Sequence, residues 1–151
     1  MKQYSFYNVD IVIDGINMDG FADSNSIIQA ARSAAQHAKV MDARGKMTAI
    51  TSADKSGIIT FDLQQTSDSN AYLQARALES HNTGTSGNSA TFIPVQAFIN
   101  DKMGTTLVTG VNGIITMQPA IVRGTGLNMV TWLFEFEQIW FVRGQYENVG
   151  Q

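Results

Sequence analysis

Cysteine is absent from the 151 residues, which excludes a disulfide framework, a thiolate zinc site and a cysteine nucleophile, and is compatible with a reducing compartment. Basic excess is absent too. Ten Lys and Arg stand against thirteen Asp and Glu, a formal charge of −3, and a surface that grips phosphates needs clustered cations. No stretch approaches the roughly 20 apolar residues that span a bilayer. The opening Met1-Lys2-Gln3-Tyr4-Ser5-Phe6 has neither the charged nor the apolar region of a secretory leader. The expectation is one soluble domain over residues 1–151, with no membrane partner, burying about two thirds of the surface of its unfolded chain.

Catalytic constellations are equally scarce. His37 and His81 have no partner at metal-ligand spacing, and His81 lies in a stretch of Ser, Thr and Gly. Both read as surface histidines. Arg123-Gly124-Thr125-Gly126 lacks the lysine and the strand-to-helix setting of a phosphate loop, and reads as a turn before a strand. No serine occupies a nucleophile elbow with a histidine and carboxylate to serve it. Asp62, Glu135 and Glu137 could be paired glycosidase carboxylates, but acids on a solvated strand face are more often only solvated. The chain reads as a protein without catalysis, cofactor or metal site.

What the sequence does hold is alternation. Tyr7, Val9, Ile11 and Ile13 alternate with Asn8, Asp10 and Val12, and Asp14-Gly15 is a strong two-residue hairpin signal before Ile16 to Phe21. Asp54-Lys55-Ser56-Gly57 is turn chemistry, after which Ile59, Phe61 and Leu63 face one way and Thr60, Asp62 and Gln64 the other. Thr66 to Asn70 offers side-chain oxygens to the free N–H groups of a helix start. About three helical turns should follow, with Ala71, Ala75 and Leu78 as the buried stripe and Tyr72 and Leu73 beside it, before the polar run from Ser80 ends them. Residues 80–90 read as a flexible surface loop.

Ile93, Val95, Ala97 and Ile99 make a strand opposite Phe92, Gln96 and Phe98, with Pro94 marking an edge or bulge. Asn100 to Gly104 turns the chain and Thr105 to Met117 returns it. Val130, Trp132, Phe134 and Phe136 then alternate with Thr131, Leu133, Glu135 and Glu137, and the phase slips so that Ile139 to Val142 is apolar on both faces. A bulge or a change of sheet near Gln138 would produce that slip. Residues 27–40 have helix-favouring composition without an apolar stripe, and residues 41–57 read as a loop or the far end of a long hairpin. Six or seven strands and one helix give a mainly β fold, an antiparallel β-sandwich or barrel with one flanking α-helix. The aromatic run from Trp132 to Val142 exceeds what one strand face needs, so it reads either as a well-filled core or as an interface.

Asp54-Lys55-Ser56-Gly57, Leu63-Gln64-Gln65-Thr66-Ser67 and Ser69-Asn70, with Tyr4-Ser5-Phe6, Val9 and Gly20-Phe21-Ala22-Asp23, resemble the signature of a family of bacteriophage tail tube proteins. The resemblance is specific over residues 4–75 and looser beyond. It implies a β-sandwich with a flanking helix, assembled as homo-hexameric rings that stack into a hollow tube, usually inside a contractile sheath. It implies sheath, baseplate and tail-terminator partners, a location in the virion tail after assembly in the host cytoplasm, and DNA that passes through the lumen without specific binding. It also implies a strand, an extended hairpin and a return strand over residues 27–57, in place of a helix, although Ala30 to Ala38 is less charged than the family pattern.

On that basis Asp62, Gln64, Glu135 and Glu137 are candidates for the lumen wall, and Ile139, Trp140, Phe141, Arg44 and Met47 for subunit interfaces. The alternative from another class is a small β-sandwich binding or adhesion module of a phage baseplate or fibre, with Trp132 or Trp140 exposed as a platform.

Overall fold

The computed structural model describes residues 1–87, 93–146 and 148. The chain opens with a 3-10 turn at Phe6–Asn8, then β1 (Val9–Ile13) and β2 (Ile16–Asn17). Asp14 and Gly15 both take positive φ, 50° and 82°, as a two-residue turn of this hand requires. Next come β3 (Ile28–Arg32), β4 (His37–Met41), β5 (Met47–Thr51), β6 (Gly57–Gln64), α1 (Asp68–Thr85), β7 (Val95–Asp101), β8 (Thr106–Ile115) and β9 (Met129–Val142). Among the described residues, seven strands form one sheet in the order β2-β1-β7-β8-β9-β6-β3, and β4 and β5 pair only with each other. Every ladder is antiparallel.

The segment after β2 joins the two edges of the large sheet. Met18 N–H donates to Ile11 O at 2.9 Å, beside β1, and Gly20 O then accepts from Gln64 N at 2.8 Å while Ala22 N donates to Asp62 O at 3.1 Å, beside β6. One short stretch thus closes the sheet on itself, as a barrel does. Inside lie Ile11, Ile13, Ile59, Phe61, Leu63, Val95, Ala97, Trp132, Phe134, Phe136 and Ile139, and Leu73 and Ala77 of α1 belong to the same core. Phe61 stacks on Phe134 at 5.7 Å and Phe134 on Phe136 at 6.2 Å. The inward facing of Ile59, Phe61 and Leu63 and of Trp132, Phe134 and Phe136 is as the alternation predicts.

Several expectations need correction. Residues 27–40 contain two strands, β3 and β4, so the helix that their composition favours does not form: Ile28 pairs opposite Phe61 and Ala30 opposite Ile59, and that pairing overrides a weak propensity. The hairpin runs from His37 to Thr51 around a turn at residues 42–46, where Asp42 Oδ1 accepts from Arg44 N and Lys46 N at 2.8 Å each. It therefore begins earlier than the expected 41–57 span.

The helix continues to Thr85. Thr83 Oγ1 donates to Glu79 O and Ser80 O, and Thr85 Oγ1 to His81 O and Asn82 O, so the hydroxyls that suggested a loop lean back on the preceding turn. Its N-cap is Ser67, whose Oγ accepts from Ser69 N. The buried stripe is Leu73 and Ala77, while all three residues of the expected stripe, Ala71, Ala75 and Leu78, are exposed, since turning Leu73 inward buries more apolar surface than two alanines would. Phe92 and the 88–90 part of the expected surface loop lie outside the described residues.

Candidate assembly surfaces

The registers fix the outer face of the sheet. Opposite the buried Ile59, Phe61 and Leu63, β6 presents Ile58, Thr60, Asp62 and Gln64. Asp62 is paired with Thr131, Gln64 with Met129, Thr60 with Leu133 and Ile58 with Glu135, and Glu135 continues to Ile114 on β8. Thr131 Oγ1 donates to Asp62 Oδ1 at 2.7 Å and Asn112 Nδ2 donates to Glu137 Oε2 at 2.8 Å. So Asp62, Gln64, Glu135 and Glu137 share one face, Glu135 and Glu137 being exposed and Asp62 and Gln64 half-buried. The outward positions of β3, β6 and β9 include three acids and no Lys or Arg. Such a face repels phosphate.

The phase slip of the last strand is visible in its burial: Trp132, Phe134 and Phe136 are buried, and the next buried residue is Ile139. Against β8 the register holds from Val142 to Phe134. Against the β6 side it does not, since Gly57 pairs with Phe136 while Ile139 N donates to Lys55 O at 3.0 Å. One residue of β9 is therefore extra beside Gln138, as the sequence suggests. The matching irregularity on β8 lies at its other edge, where pairing with β7 shifts between Val95 and Ala97 and Asn112 takes a φ of 54°.

The slip sorts the interface candidates. Ile139 is wholly buried, packed where a Cβ on Gly57 would lie 2.3 Å from its Cγ2. It belongs to the core, so its assignment to an interface is withdrawn. Trp140, 42 % exposed, stands on the outside near Thr109, its partner on β8. Phe141 lies under the Arg32 guanidinium, 5.2 Å from the ring centroid, with about a third of its surface open. Trp132 is buried and donates Nε1–H to Asn70 Oδ1 at 2.9 Å, which removes it as a binding platform.

Arg44 and Met47 lie on the β4–β5 hairpin, all of whose strand residues are exposed. His37 Nδ1 and Thr51 Oγ1 lie 3.1 Å apart across it. Val40, Met41, Met47 and Ile50 are each more than half exposed, an apolar load that an isolated two-stranded unit does not keep in water without a partner.

Alternation alone did not reveal Arg76. From α1 its Nε reaches Asp14 Oδ2 at 3.1 Å, Nη1 the Ser80 hydroxyl at 3.0 Å and Nη2 Ile93 O at 2.5 Å. Asp14 Oδ1 in turn accepts from Gln96 N at 2.9 Å. Helix, first turn and β7 are tied at one point. The burial of Tyr72 beside this pair, and the negative charge of Asp14, push its phenol above its ordinary pKa. Among the described residues no group of three His, Cys, Asp or Glu could hold a metal ion, and no helix is long and apolar enough to cross a membrane.

The sequence profile described as the bacteriophage PhiTE tail tube protein matches residues 1–144. The chain belongs to this tail tube family. Its resemblance to tail tube proteins over residues 4–75 therefore extends to nearly the whole chain. No curated protein sequence matches it.

Solved structures share the fold. A chain of an extracellular contractile injection system, the PVC sheath-tube complex in its extended state, aligns with a TM-score of 0.56 at 9% identity, over 93% of this chain and 92% of that one. A chain of the PVC sheath/tube terminator in the extended state aligns at 0.55 and 11% identity, over 94% and 98%. The anti-feeding prophage cap, a tube-terminating cap, gives 0.53 and 10%, over 94% and 93%. Family and fold together make this a structural tail tube protein of a phage virion, not an enzyme.

Proposed function

We propose that this tail tube protein forms homo-hexameric rings that stack into a hollow tube through which the genome passes, with Asp62, Gln64, Glu135 and Glu137 on the lumen wall. The observation that carries this is the division of β6 and β9 into a fully buried face and an outward face with acids and no Lys or Arg. Repeated around a ring, that face makes a negative wall on which a phosphate backbone finds no cations to displace its counterions, so DNA slides without being held. Head-to-tail association around a rotation axis closes such a ring.

The exposed Trp140, the half-covered Phe141 and the hairpin bearing Arg44 and Met47 supply the subunit contacts. Neighbouring subunits cover the hairpin, which its own barrel leaves in water. Structural neighbours titled as a sheath-tube complex and as a terminator favour a sheath around this tube, a terminator at its end and a contractile tail. A baseplate at its other end follows from the same tail architecture, with assembly in the host cytoplasm. The family match over residues 1–144 favours the tube over the adhesion-module alternative, for which Trp132 is core and only Trp140 is exposed as a platform.

Trp140→Asp tests the assembly role. The variant should remain soluble, with unchanged far-ultraviolet circular dichroism, and form no tubes in electron micrographs in which the wild type does. A variant that fails to fold would make Trp140 an ordinary packing residue, and tubes of normal length would remove it from the interface.

A further inference from the structure

Two apolar surfaces lie at opposite ends of the β8–β9 ribbon. At one end the registers align Phe98, Thr109 and Trp140 in one outward row and Asn100, Leu107 and Val142 in the next. Phe98, Trp140 and Val142 are 39 %, 42 % and 56 % exposed, so an apolar patch spans three neighbouring strands. At the other end, residues 116–128 join β8 to β9 with one charge, Arg123, among thirteen residues. Polar contacts tie this loop inward: Gln74 Nε2 donates to Gln118 Oε1 at 2.6 Å and Asn128 N to Gln65 Oε1 at 3.2 Å. Met117, Ile121, Val122 and Leu127 are left more than half exposed, Ile121 at 81 %. Apolar surface gathered in this way marks a contact.

The bulge separates the patch from the acids. β8 and β9 stay in register with each other from Leu107–Val142 to Ile115–Phe134, while β8 slips against β7 and β9 against the β6 side. The two strands bulge together, which bends the ribbon between Glu137 and Trp140, so the acidic stretch and the aromatic end face different directions. The loop also stands away from its own patch. From Phe134, opposite Ile115, to Val142 the strand advances eight residues, roughly 26 Å at about 3.3 Å each. Two unlike surfaces on one molecule join copies head to tail, and surfaces at the two ends of one ribbon add copies along it.

On the premise of the tube reading above, we propose that residues 116–128 of one chain cover the Phe98–Trp140 patch of a chain in the next ring, so that rings stack through the two ends of the β8–β9 ribbon. The charge-poor loop suits this occupant, since the centre of a protein contact is depleted of charge.

Ile121→Asp puts a charge on the loop at a side chain that the free chain leaves in water. The variant should keep its far-ultraviolet circular dichroism and form separate rings, without tubes, at concentrations where the wild type forms tubes. Tubes of normal length, or a folded chain that forms neither rings nor tubes, overturn the stacking role. The absence of cysteine permits a second test that adds no charge. In Thr109→Cys/Thr125→Cys one thiol lies between Phe98 and Trp140 and the other in the loop. A short bismaleimide added to assembled tubes should link chains from ring to ring, giving a denaturing-gel ladder that runs well past the number of chains in one ring. A ladder that ends at that number places the contact within a ring, and single chains alone place loop and patch apart; either result overturns the proposal and leaves the tube reading standing. Failure of the wild type to assemble overturns the tube reading, and the stacking contact with it.

Discussion

Phe136 owes its position to what is missing opposite it. Gly110 and Gly113 on β8 leave room for its ring, and a Cβ on Gly113 would stand 2.4 Å from Phe136 Cε1. Gly113→Ala should therefore cost about 1–3 kcal/mol of stability, as overpacking of a filled core does, read as a lower urea midpoint; an unchanged midpoint would mean that the ring moves aside freely. At the other end of the molecule, Tyr146 donates to Asp101 Oδ2 at 2.6 Å and meets Tyr4 edge-on at 6.1 Å. The hydrogen bond to Asp101, with lesser help from desolvation and the carboxylate's charge, pushes the Tyr146 phenol up to about 12. A pKa raised in the folded state means that the stabilisation is complete below the unfolded value near 10 and is lost as the pH rises from there to about 12. Absorbance of the native protein should show a late tyrosinate step near pH 12 that Tyr146→Phe removes. If that step survives the substitution, it belongs to another tyrosine. Neither site is written in the hydrophobic alternation, since both depend on residues brought together by pairing.

At the scale of elements, what the sequence reveals depends on whether local periodicity or tertiary contact decides the outcome. The period of two in Ile59-Phe61-Leu63 and Trp132-Phe134-Phe136 assigns inner and outer faces without help, and Asp14-Gly15 names its turn. The helix is harder: its end was hidden by hydroxyls that fold back on carbonyls, and its buried stripe by alanines that share a spacing with the true Leu73–Ala77 side. Arg76 stands on that inner side and works across the molecule, so no local pattern marks it. It is 13 % exposed against 22 % for Asp14, and water screens the pair only in part. Arg76→Ala should lower unfolding stability by about 2 kcal/mol, through loss of hydrogen bonds to a charged group, and loosen the chain at Ile93, just before β7. An equal loss in Asp14→Ala, with little further loss in the double variant, is the signature of one shared network. Additive losses would mean that the two residues act separately.

For the whole molecule, one chain divides into a barrel with its own core and a hairpin with none. Lumen wall, ring contacts and stacking contacts are properties of the assembly, and sequence alone places only the faces from which they are built. The slip at Gln138 shows why: it was legible as two-sided apolar sequence, yet only the burial of Ile139 beside Gly57 tells which side is core and leaves Trp140 outside. The central claim is that the outward face of β6 and β9 lines a channel. A cryo-electron microscopy reconstruction of the assembled protein, at a resolution showing side chains, tests it most directly. It should show a hollow sixfold tube with Asp62, Glu135 and Glu137 on the channel wall, whereas a wall dominated by Arg32, Arg44 and Lys46, or all three acids turned away from the axis, would contradict it.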